Sequence, residues 1–217
     1  MKRIKLLAAI MCLPMLSMAQ PGAGVADKVL PVKVDIGVKV GANFANLNGK
    51  EWESGYKPGL VAGIFGGISR KRVGVTGEVL ISSIKYTGSG VNFYQSAKQS
   101  ALIYNNAADS SKKGNFAVTY VHVPVLFNFK FGGPLWLQLG PMYSGVVGVN
   151  DKDNLLKSTT GLFKSGDVSG VLGLQLNLSK FRANARYIIG FSDVNASSVT
   201  NSWKTRTVQL SLGYTFL

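Results

Sequence analysis

Six side chains in this 217-residue sequence carry charge or acid–base chemistry at spacings that could bring them together: Asp35, Lys39, Glu78, His122, Arg182 and Arg186. His122 is the only histidine, and so the sole candidate for a base that works near neutral pH. Hydrolytic or acyl-transfer chemistry would also need a nucleophile and an orienting group within reach. Ser144 and Asp35 fall on the same face as His122, but no nucleophile-elbow motif is present. His122 also lies inside an alternating stretch, away from a rim where substrate would arrive. The expectation is a non-enzymatic protein. Asp151-Lys152-Asp153-Asn154 resembles the start of a calcium loop but lacks the sixth-position glycine and twelfth-position glutamate, so it reads as a solvated polar loop. No metal or cofactor is expected.

The elements that would position these groups alternate with period two. Phe116–Val149 reads FAVTYVHVPVLFNFK, FGGP and LWLQLGPMYSGVVGVN. Val121, Val123, Val125, Phe127 and Phe129 share one face; Tyr120, His122, Asn128 and Lys130 share the other. In the second run Leu135, Leu137, Leu139, Tyr143, Val147 and Val149 oppose Gln138, Gly140 and Ser144. Phe131-Gly132-Gly133-Pro134 supplies the reversal. Soluble strands average about 5–6 residues, whereas a tilted bilayer-crossing strand needs roughly 9–11, and both runs exceed that.

Compartment follows from the N-terminus. Lys2, Arg3 and Lys5 precede the apolar run Leu6–Leu16, and Ser17-Met18-Ala19 offers a small-residue exit. This is the pattern of a secretory signal peptide over residues 1–19. Cys12 lies within it, so the mature chain would have neither a disulfide frame nor a thiolate metal site. Cleavage removes three positive charges and lowers the formal +14 to +11. Dispersed Lys and Arg in an exported chain point to an anionic lipid surface rather than nucleic acid. No apolar run after the leader reaches the roughly 18 residues of a membrane helix, so a membrane-spanning structure must be a closed barrel.

Residues 20–32 read as a flexible periplasmic leader, and 33–217 as the barrel domain. Strands are expected over Lys33–Phe44, Pro58–Ser69, from Val73 onward, in both arms of the long hairpin, around Val168–Leu178, over Phe181–Phe191, and through Val208–Phe216. Phase blurs at Ile84 and Tyr86, where a bulge is expected, and Pro124 predicts another. Asn46–Tyr56 and Thr87–Asn115 read as polar loops. Connections alternate long and short, which fits an eight-stranded antiparallel up-and-down transmembrane β-barrel with extracellular loops, short periplasmic turns and both termini in the periplasm. Outward Phe127, Phe129, Phe181, Tyr214 and Phe216 at one rim, with Phe44 and Phe191 at the other, would form interfacial girdles.

Eight strands leave an interior that side chains can fill. The six charged or titratable groups are expected to form a plug there, with Glu78 between Arg182 and Arg186. Phe93, Tyr94 and Tyr104 are candidate surface-loop contacts for lipopolysaccharide, a surface polymer or a protein partner, since loops on rigid scaffolds commonly carry function. The reading is a monomeric structural or surface-binding protein of the outer membrane. The alternatives are a small pore, a secretion accessory, or a soluble lipocalin-like binding barrel with its apolar faces inside.

Several patches, in order along the chain, resemble the PorT-like outer-membrane β-barrel family of Gram-negative bacteria. They are Pro58-Gly59-Leu60-Val61-Ala62-Gly63, Glu78-Val79-Leu80-Ile81-Ser82 running to Gly88, and Tyr120-Val121-His122-Val123-Pro124 with its Tyr-x-x-x-Pro spacing. Leu139-Gly140-Pro141-Met142-Tyr143, Ala185-Arg186-Tyr187 and Gly190-Phe191-Ser192-Asp193 complete the set. His122 stands where the family usually carries an acid, and Leu217 follows the terminal aromatic Phe216. The resemblance implies the barrel fold; most members have no assigned activity and some resemble parts of a protein-secretion apparatus.

Overall fold

The computed structural model describes residues 32–48, 51–53, 55–88, 90–99, 114–151, 166–192 and 203–216. The expected signal peptide over residues 1–19, Tyr104 and Asp153-Asn154 lie outside them. Eight strands follow in chain order: β1 (Lys33–Asn48), β2 (Lys57–Arg70), β3 (Val73–Gly88), β4 (Gly114–Gly132), β5 (Leu135–Asp151), β6 (Gly166–Leu178), β7 (Phe181–Gly190) and β8 (Lys204–Thr215). Among the described residues a helix, α1 (Gly90–Gln99), lies between β3 and β4. Every strand pairs antiparallel with its sequence neighbours, and β8 closes back onto β1 to form a barrel.

Three two-residue turns gather at one end, here called the turn end: Lys71-Arg72, Gly133-Pro134 and Ser179-Lys180. Lys71 (φ 51°), Ser179 (φ 57°) and Gly133 (φ 48°) take left-handed conformations, as tight hairpins require to match the twist of their strands. The opposite end, the mouth, carries the longer connections.

The faces are inverted relative to a soluble barrel. Leu60 (75% exposed), Val40, Ile64, Leu139, Leu172 and Leu212 stand on the outside, while Asp35, Lys39, Glu78, Gln138, Arg182 and Arg186 are buried within. A lipocalin-like barrel needs the reverse arrangement, so that alternative falls. An apolar outer band around a polar interior is the arrangement of a lipid-embedded barrel.

Three local expectations are corrected. Register runs unchanged across Pro124: Gly77↔Val125 and Leu80↔His122 keep one frame, and only the rungs at Glu78 and Val79 drop out. The barrel absorbs the missing proline donor as a gap in the ladder. Beside it β4 and β5 come close, since a Cβ on Gly140 would strike the Val125 carbonyl oxygen. The register of β4 and β5 shifts elsewhere: beside the turn, where Lys130 pairs with Trp136 but Gly132 pairs with Leu135, and nearer the mouth, in a bulge where Thr119 pairs with Gly148 but Tyr120 pairs with Val146. The extra residue, Val147, reverses the phase beyond it. Val149 therefore packs inward against the mouth cluster and does not join Tyr143 and Val147 outside. In β3 the phase never breaks; Ile84 and Tyr86 are inward residues like Glu78 and Ser82, because the mouth half of the interior is apolar.

Candidate functional site: a lumen filled in three tiers

Inward positions of β1 to β7 build the first tier, nearest the turn end. Glu78 on β3 receives Lys39 Nζ from β1 at 2.6 Å and a two-pronged guanidinium from Arg186 on β7, Nη1 to Oε2 and Nη2 to Oε1, each at 2.7 Å. Such a fork fixes both distance and plane. Arg186 Nε donates to Gln138 Oε1 at 2.9 Å, and Gln138 Nε2 donates to Asn128 Oδ1 and Gln175 Oε1. Asn128 continues to Thr76 Oγ1 at 2.8 Å. The chain of bonds thus ties β1, β3, β4, β5, β6 and β7 through the middle of the barrel.

Arg182 does not flank Glu78 as expected; its Nη2 lies 2.6 Å from Asp35 Oδ2. Its guanidinium also sits 4.9 Å from the centre of the Phe65 ring, with Lys39 Nζ at 5.7 Å from the same ring. Phe65 was not among the expected residues, although its phase in β2, opposite to Leu60, Ala62 and Ile64, marks it as inward. Tilt explains the changed partner. Ladder pairing carries Arg182 to Gly213 and Gly213 to Lys39, but strands tilted against the barrel axis bring groups from different rungs to one height.

His122 forms the second tier. Nε2 lies 2.6 Å from Ser82 Oγ and Nδ1 lies 2.8 Å from Ser144 Oγ, so both ring nitrogens are engaged by hydroxyls. The imidazole stacks on Tyr120 at 5.6 Å. Asp35 is committed to Arg182 and does not orient the histidine. Beside this tier is a cavity of about 30 Å³, lined among others by Asn43, Tyr120, His122, Asp167 and Thr207.

Aromatic side chains fill the third tier, at the mouth. Trp52, from the connection after β1, meets Tyr86, Phe93, Phe116 and Trp203 edge-on at ring separations of 5.2–5.9 Å. Trp203 Nε1 donates to the buried Glu51 carboxylate at 3.0 Å. Glu53 N donates to the Thr87 carbonyl at 2.8 Å, and Trp52 bridges to Gly88. The segment before β2, read from sequence as a polar loop, is thus folded into the mouth. Phe93 and Tyr94, expected as surface contacts, are 2% and 8% exposed on the inner side of α1. The helix turns its aromatic pair into the plug because Val91, Asn92, Gln95 and Lys98 form its exposed side. Gly88 makes this possible: a Cβ there would come within 2.5 Å of the Phe93 ring.

No group of three or more metal-ligating side chains occurs among the described residues. The patches that resemble a known barrel family converge in space. Glu78 of the β3 patch bonds Arg186 of the β7 patch, and Pro124 of the β4 patch pairs with Met142 beside Gly140-Pro141.

The family comparison agrees on the architecture. Residues 18–196 match the family model described as outer membrane protein beta-barrel domain. The crystal structure of Ail, the attachment invasion locus protein of Yersinia pestis, in complex with the heparin analogue sucrose octasulfate, is 16% identical, with a TM-score of 0.46 over 85% of this chain and 99% of that one. The crystal structure of Neisserial surface protein A is 12% identical, with a TM-score of 0.48 over 85% and 99%. These likenesses concern the fold alone. No curated protein matches the sequence.

Proposed function

The chain belongs to the outer membrane protein beta-barrel domain family, and on that premise we propose that it is a non-conducting envelope protein whose closed mouth serves as a rigid support for surface segments. The observation that carries this reading is the filled lumen. An ionic network, a serine–histidine–serine bridge and an aromatic plug follow one another from turn end to mouth. A continuous aqueous path would have to break all three. In this reading residues 1–19 direct export, the termini and short turns face the periplasm, the mouth faces outward, and the barrel acts as a monomer.

Catalysis has no support in the arrangement, since the one histidine is enclosed by two serine hydroxyls and lacks an acidic partner among the described residues. The PorT-like assignment remains our reading of the sequence patches, supported by their convergence on Glu78, Arg186 and Pro124. Single-channel recording of the protein folded into planar bilayers tests the proposal. We expect silence from the native chain; steady conductance would replace the plugged barrel with a pore.

A further inference from the structure

The outer face of β8 changes character along its length. Thr207, Gln209 and Ser211 are buried in the lumen, so Lys204, Arg206, Val208, Leu210 and Leu212 form the outward column from the mouth downward. Lys204 and Arg206 are exposed and hold no ion pair among the described residues. On β1, Asn48 stands opposite Lys204 and Asn46 opposite Arg206, with the two amides 3.3 Å apart. Ile189 of β7 flanks Arg206 on the other side. This corner of the rim therefore offers two cations and two amides with no acid among them. Asn46 is held in place by the Gly55 N–H on its Oδ1 at 3.3 Å, while the Asn48 Nδ2 stays open among the described residues.

Below it the wall is indented. Ala42 and Ala185 flank Leu210, and Val40 and Ala183 flank Leu212. Small side chains between leucine ridges leave an almost wholly apolar groove of about 800 Å³. Arg206 and Leu210 are four residues apart, about 13 Å of strand, so the end of the groove at Leu60, Ala42 and Leu210 fits within one leaflet of a hydrocarbon core about 30 Å thick. Its other end reaches Leu176 and Leu135 beside the turn end.

We propose that this face docks a phosphorylated, multiply acylated glycolipid of the outer leaflet. The cations take its phosphates, the Asn46 and Asn48 amides meet its sugar hydroxyls, and acyl chains lie in the groove. Paired cations beside paired amides match a head that carries both phosphate and hydroxyls, and the groove spans several strands, which suits several chains. The inference rests on the reading that the mouth faces outward.

Native mass spectrometry of the folded full-length protein in detergent, titrated with rough lipopolysaccharide, tests it. K204E/R206E should weaken adduct retention about 30-fold, at roughly fivefold for each cation at an anionic lipid interface. Dephosphorylated lipopolysaccharide should lose as much, and Ala185→Phe, which fills the groove, should weaken retention without altering heat-modifiable gel mobility. Lys85→Glu, an outward cation on β3, should change nothing. Adducts indifferent to K204E/R206E would overturn the proposal, as would phosphatidylglycerol retained equally well through the same two cations. Orientation is read separately, by impermeant maleimide labelling of Gln95→Cys on intact cells. Labelling without a specific adduct would sink the glycolipid site alone, whereas absent labelling would sink the orientation and the site with it.

Discussion

The two halves of the lumen are filled by opposite chemistries. Near the turn end, three cations and two carboxylates are held by short hydrogen bonds contributed from strands far apart in sequence. Near the mouth, rings and aliphatic side chains dominate. The buried carboxylates there among the described residues are Glu51, which accepts a hydrogen bond from Trp203 Nε1, and Asp167, which accepts from the Ser169 and Thr205 hydroxyls. The ionic half joins strand to strand across the bore and so belongs to the barrel's own closure. The aromatic half joins the barrel to its connecting segments, since Trp52, Phe93, Tyr94 and Trp203 all lie outside the eight strands. One interior thus has a cross-brace at one end and a dock at the other, and damage to each should show differently.

The largest effect should come from Glu78→Gln. The substitution keeps shape but leaves Lys39 and Arg186 buried with no opposing charge from this side chain. Breaking a buried ion pair from one side costs about 3–5 kcal/mol. We expect a loss of that order in urea unfolding from vesicles, accompanied by loss of the fast unboiled gel band. An effect under about 1 kcal/mol, the range typical of exposed pairs, would mean that water reaches the network and that it braces nothing.

Trp52→Ala should cost nearly as much locally, since emptying a buried large aromatic site costs about 3–5 kcal/mol. Here the readout should separate the halves. Protease should gain access to Gly90–Gln99 while the urea midpoint of the barrel moves far less than in Glu78→Gln. Equal shifts in both assays would erase the distinction between brace and dock. Gly88→Ala should act in the same place with smaller size, because the new methyl group must displace the Phe93 ring; overpacking of this kind costs about 1–3 kcal/mol. Pairing it with Phe93→Leu, which withdraws the ring, should recover most of the loss.

How much of this was legible in the sequence differs between the halves as well. Period-two alternation was clear wherever lipid lies outside and polar groups inside, so strand count, order and the inward set Asp35, Lys39, Glu78, His122, Arg182 and Arg186 could be read directly. Pairing within that set could not, because it depends on tilt and stagger: Arg182 turned to Asp35, and Lys39 took its place on Glu78. The mouth was harder. Where the interior becomes apolar, both faces of a strand look alike, which blurred Ile84 and Tyr86 and hid the inward turn of Val149 past the bulge. Phe93 and Tyr94 sit among polar residues, and composition alone read them as surface contacts. Only the contact between the Phe93 ring and Gly88 shows why they point inward.

Lys39→Met should have the smallest effect and tells most about how the brace is balanced. Glu78 is already gripped by both prongs of Arg186 at 2.7 Å, so removing Lys39 leaves no carboxylate without a cation. It leaves two cations for two carboxylates in the turn-end tier, and methionine preserves contact with the Phe65 ring that Lys39 now overhangs. Replacing buried ionic groups by apolar ones of similar volume is often neutral or stabilising by about 1–4 kcal/mol, and here the lower end is expected, about 1 kcal/mol in favour of the variant in urea. The same substitution in a Glu78→Gln background should recover part of that variant's loss, because one of the two stranded cations is gone. A loss of about 3 kcal/mol from Lys39→Met alone would instead make lysine and arginine equal partners of Glu78, and the brace would then be a three-membered unit rather than an arginine fork with a tolerated neighbour.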